Sequence, residues 1–133
     1  MTGENCSLGG CTHVKLWQGL AALAGFLGII AGALGAHATA DDHARQIVEN
    51  AAIYQLLHAA LLMYAARLTG WPALLGKTAL VLGIVLFSGG LSLKYLAGLE
   101  TLGQVAPAGG ICYMIGWLSL GLAAMLDKSA TRA

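Results

Sequence analysis

Charge is scarce in this sequence: Asp, Glu, Lys and Arg together make up 10% of its 133 residues. Soluble chains carry about 25%, because a small globule has a large wetted surface to cover. A chain with less than half that charge cannot clothe itself in water, and the missing polar surface must face lipid. Aromatic residues are sparse at 7%, and the net charge is only +1. Neither a base-stacking platform nor a basic face is available, so no nucleic-acid partner is expected. The chain also lacks G-x-S-x-G, P-loop, HExxH and dinucleotide fingerprints. None of its six acidic residues falls inside a long apolar run, where a carboxylate would serve ion coupling. From these absences we expect no enzyme and no cofactor.

What the chain does have is hydrocarbon and glycine: 58% hydrophobic residues, 19 glycines and a mean hydropathy of +0.75. Four windows are free of Lys, Arg, Asp and Glu: Lys15 to Asp41, Glu49 to Arg67, Lys77 to Lys94, and Glu100 to Asp127. A bilayer core of about 30 Å needs about 20 helical residues. The first and fourth windows meet this, at about 25 and 26 residues, with room to tilt. The second and third, about 17 and 16, reach it if Arg67 and Lys94 snorkel toward the headgroups. The windows are too long and too continuous for strands.

The reading is therefore all-α: one integral membrane bundle of four transmembrane helices. Spans are expected at about 16–38, 47–69, 77–98 and 105–126, between a flexible tail over 1–15 and a C-terminal tail over 128–133. Ala36-His37-Ala38 imitates a signal cleavage site. The apolar run before it, about 19 residues, exceeds a signal core of 7–15 and reads better as a retained span. With four spans, Lys15, Arg67, Lys77, Lys128 and Arg132 share the side of the termini, against Arg45 and Lys94 on the other. That bias puts both termini in the cytoplasm of a bacterial inner membrane, or in the matrix of a mitochondrion.

In lipid, helices associate by close backbone approach through small residues. Gly25, Gly28, Gly32 and Gly35 form one stripe on the first helix, and Gly109, Cys112, Gly116, Ser119 and Ala123 another on the fourth. Gly76, Ala79, Gly83 and Gly90 mark a looser third. The plain reading is packing within the chain; the other is a seam to a second copy. Punctuation is clear. Asp41 or Asp42 can cap the second helix, Gly70-Trp71-Pro72 breaks the chain, and Pro107 opens the last helix. Trp17, Trp71 and Tyr95 fall where interfacial rings anchor.

The polar residues worth suspecting are Tyr54, Gln55 and His58 in the second span, on one helical face. They read either as a clamp between helices or as a ligand, proton-relay or metal site. His37, at the end of the first span, could join His58 as a metal or haem ligand, although their depths match poorly. Cys6, Cys11 and His13 supply three ligands where zinc wants four, so a solvated tail without metal is expected.

Several motifs, in order, are familiar. Gly32-Ala-Leu-Gly-Ala-His37, Tyr54-Gln-Leu-Leu-His58-Ala59, Phe87-Ser88-Gly89 and Ala106-Pro107-Ala108-Gly109-Gly110, with Gly116-Trp117, resemble the domain of unknown function 423 family. That family includes small bacterial inner-membrane proteins and the animal transmembrane protein 256 group. The resemblance covers all but the two tails; Leu34 stands where the family usually has an aromatic, and Ala108 where it has a bulkier residue. It implies a four-helix membrane protein and brings no activity, substrate or cofactor with it. The expectation is a non-catalytic accessory or assembly partner in the lipid bilayer, docking to itself or to a larger membrane complex. The alternatives are a small-solute or proton conduit lined by the second helix, and a His-ligated redox or metal-binding protein.

Overall fold

The computed structural model describes residues 8–127, and among these there is no strand. Helix α1 spans Leu8–Ala38 and α2 spans Asp42–Ala65. A third long helix begins as α3 (Trp71–Gly83), passes through a π-helical segment (Ile84–Gly89) and ends as α4 (Gly90–Ala97). A 3-10 segment, Glu100–Val105, leads into α5 (Ala106–Leu126). The order is up-down-up-down, so the start of α1, the 66–70 loop and the end of α5 lie at one end of the bundle.

Three of the long helices, over 12–38, 71–97 and 100–126, are long and apolar enough to cross a membrane. Helix α2 has the length but a more polar sequence, and its polar side chains Gln55 and His58 are buried. The large apolar side chains point outward: Ile29, Tyr64, Leu118 and Met125 are 63%, 67%, 78% and 86% exposed. Alanine, glycine and serine fill much of the interior. A water-soluble bundle does the reverse, because burying apolar area drives its folding. Here lipid covers the bulky residues, and small ones let the backbones close up.

Close packing is concentrated in two pairs, α1 with α2 and α3 with α5. Gly25, Gly28, Gly32 and Gly35 all lie against α2: a methyl on Gly28 would come within 3.2 Å of Leu56, and one on Gly35 within 2.8 Å of Val48. In the second pair the holes are reciprocal. Leu80 fills the space over Gly116, Leu120 that over Gly76, Tyr113 that over Gly83, and Gly109 rests on the backbone of Phe87. Of the other three residues of the α5 stripe, Cys112 and Ser119 are half-buried and Ala123 is buried. Side chains fill the seam between the pairs, with Trp17, Ala21, Leu62, Leu80, Ile84 and Tyr113 in one apolar cluster.

Local signals set the helix ends. Asp41 caps α2 by accepting from the Ala44 N–H at 3.0 Å. Pro72 and Pro107 occupy first turns, where no donor is lost. Gly98 takes a left-handed φ of 71° to close α4. Three expectations need correction. Residues 8–15 belong to α1 and not to a flexible tail: Trp17 Nε1 donates to His13 Nδ1 a turn earlier, at 3.2 Å, and Val14 packs on the core. Cys6, residues 1–7 and the tail 128–133 lie outside the described residues. The third helix starts at Trp71, ahead of Lys77, because that lysine bends its head back toward the loop and so need not mark a boundary. Trp17 turns inward, 7% exposed, while Trp71 stays 70% exposed as an interfacial ring should.

Candidate functional site

The polar residues of α2 diverge. Gln55 faces α1 and donates its Nε2 to the Ala24 carbonyl at 2.8 Å. His58 faces α5: Trp117 donates its Nε1–H to His58 Nε2 at 3.2 Å, and His58 Nδ1 lies 2.6 Å from the Tyr54 carbonyl. A carbonyl only accepts, so Nδ1 carries the proton and Nε2 offers its lone pair. One neutral tautomer satisfies both contacts. Tyr54 itself is half exposed, with its ring 5.3 Å from Phe87 and 6.1 Å from His58.

Tyr113 completes the cluster from α5. Its ring stacks on His58 with centroids 3.6 Å apart and planes 16° from parallel. Its hydroxyl meets Ser88 Oγ at 3.0 Å, joining α5 to the π-helical segment. Ser88 is fully buried. The π turn carries one residue more per turn than the surrounding α-helix, and this segment presents Phe87 and Ser88 side by side to α5. Beside the cluster, α2, the π-helical segment and α5 line a groove of about 720 Å³, whose walls include Tyr54, Leu57, Phe87, Ile111, Met114 and Trp117. It is open on its outer side and almost wholly hydrocarbon.

His37 does not join this cluster. It sits one residue from the end of α1, exposed, whereas His58 is 16 residues into α2, about 24 Å along the axis. The two cannot reach one metal ion within a single chain. Among the described residues no three of His, Cys, Asp and Glu gather closely enough to hold a metal. His13 is engaged with Trp17. Sequence reasoning found His58 and Gln55 but missed their neighbours Tyr113, Trp117 and Ser88. The signal available was the co-occurrence of Phe87-Ser88-Gly89 and Gly116-Trp117 with the histidine motif. In chemical terms the arrangement is a clamp: α2 is tied to α1 by Gln55 and to α5 by His58.

Fold, surface and buried polar ties together define a small polytopic α-helical membrane protein. The chain belongs to the family described as proteins of unknown function DUF423, whose profile matches residues 31–110. Among similar proteins is a UPF0382 membrane protein of Staphylococcus epidermidis, 34% identical over 118 residues, covering 84% of this chain and 97% of the relative. Another, from Staphylococcus aureus, is 32% identical over 116 residues, covering 83% and 95%. No solved structure gives a significant match.

Proposed function

We propose that the protein is a non-catalytic accessory or assembly partner of a larger membrane complex, seated in the bacterial inner membrane with both termini in the cytoplasm. The observation that carries this reading is the use made of three buried polar groups, the Ser92 hydroxyl alone among the buried side-chain hydroxyls having no partner among the described residues. Gln55, His58 and Ser88 are each engaged in joining one helix to another. A catalytic or conducting site needs polar groups left over to meet a substrate or water. The conduit reading has less support, since Gln55 and His58 turn to different neighbours and line no common path. The glycine stripes are taken up inside the chain, so a partner would meet the apolar flanks instead. The side assignment is supported by Lys15, Arg67 and Lys77 at the termini end, against Arg45 and Lys94 at the other.

Extraction in mild detergent from the native host, followed by mass measurement of the intact species, tests the proposal. A stoichiometric membrane subunit should accompany the chain. Recovery as a solitary monomer at native expression level would count decisively against it.

A further inference from the structure

At the termini end, a pocket of about 370 Å³ opens between the first turns of α1, the 66–70 loop and α3; its walls include His13, Thr69, Gly70, Leu74 and Lys77. Lys77 is 4% exposed. Its Nζ donates to the Leu68 carbonyl at 3.0 Å and lies 5.2 Å from the centre of the Trp17 ring. No carboxylate among the described residues pairs with it. We propose that this pocket binds a phosphate-bearing anion, the headgroup of an anionic phospholipid, with Lys77 as the charged contact.

Lys77 is a cation without a compensating charge among the described residues. An ammonium has three donors, and a neutral carbonyl and a ring face orient it without cancelling its charge. Removing such a charge from water is costly unless an opposite charge meets it. Depth agrees with a headgroup. Lys77 enters α3 about 9 Å below the helix start, but its stem carries the ammonium back to the carbonyl of Leu68, in the loop that leads to the exposed Trp71. That is where lipid phosphates lie. Two further features favour an anion. The uncapped N-terminus of α3 begins at Gly70 on the pocket wall, and its dipole is positive there. His13 accepts from Trp17 through Nδ1, which leaves its ring proton on Nε2 as a neutral donor. Basic pockets between helices at the membrane surface take anionic headgroups by this chemistry.

The test uses full-length protein in nanodiscs of phosphatidylcholine, with or without phosphatidylglycerol, read by native mass spectrometry and by thermal unfolding. The wild type and Lys77→Arg should retain phosphatidylglycerol over phosphatidylcholine by about tenfold. Lys77→Met should lose that preference, while Lys15→Gln, a basic residue outside the pocket, should keep it. Inorganic phosphate added to discs of both compositions separates the sources. If it raises the unfolding midpoint and displaces phosphatidylglycerol, the site stands with a soluble phosphate as a second occupant. Equal retention of the two lipids by the wild type overturns the proposal. So does a preference unchanged in Lys77→Met or abolished by Lys15→Gln. Should Lys77→Met not fold, the wild-type, Lys77→Arg and Lys15→Gln arms still decide.

Discussion

Gly109 and Gly110 are neighbours in the chain with opposite surroundings. A methyl on Gly109 would collide with the backbone of Phe87, which has no rotamer to escape into, whereas one on Gly110 meets nothing within 4 Å. Gly109→Ala should therefore destabilise the bundle by about 1–3 kcal/mol, the usual cost of overpacking. Gly110→Ala should be neutral or stabilising by about 0.5–1 kcal/mol, since alanine loses less backbone entropy in a helix. Unfolding in mixed micelles measures both, and equal effects would contradict the packing described. The His58 clamp makes a second prediction. Trp117→Phe keeps a ring but deletes the donor to His58 Nε2. It should cost about 0.6–1.7 kcal/mol, as hydrogen bonds between membrane helices do, and should cost nothing further in a His58→Ala background. A double-mutant cycle without coupling would exclude the bond. At this scale the sequence was half legible. A histidine in an apolar run stands out by its polarity. Its partners Tyr113 and Trp117 do not, because amphipathic rings in a span look equally like lipid anchors.

The helices themselves were read from gaps between charges, and the gaps were a good guide where a charge stood outside the helix. They misled where a charge stood within one, as at Lys15 and Lys77, whose flexible stems can carry the head out of hydrocarbon. The π-helical segment left no trace in composition, since Ile84–Gly89 reads like any apolar run. It is set by tertiary fit: Ser88 reaching Tyr113, and Phe87 lying on Gly109. Deleting Val85, a residue 60% exposed to the outside, should restore α-helical pitch and rotate the following turns by about 100°. Ser88 and Ser92 would then swing out of the interior. The deletion should destabilise far more than Val85→Ala, which trims only a lipid-facing side chain. Unfolding measurements on the two variants distinguish them, and similar midpoints would show that the segment is incidental.

For the molecule as a whole, membrane residence followed from charge scarcity alone, and the distribution of bulk agrees with it: small residues inside, large ones facing out. The family motifs were legible for the same reason the fold was, because they coincide with backbone contacts and buried ties. What the chain works with was not legible, since apolar flanks carry little information about a partner. The predicted side of the membrane is directly testable. A reporter that fluoresces only when folded in the cytoplasm should be bright at the C-terminus and dark when inserted between Gly98 and Glu100. The opposite pattern would reverse the assignment drawn from the basic residues.

The two glycine-zipped pairs bear on how such a chain is made. Each pair consists of consecutive long helices, so each is a hairpin with its tightest contacts internal, and those of the first are complete before the second has been synthesised. Insertion can then proceed in two instalments, with the first hairpin closed in the bilayer while the second is still on the ribosome. A gene cut between Arg67 and Trp71 should give two half-proteins that find each other when co-expressed, and a cut within either hairpin should not.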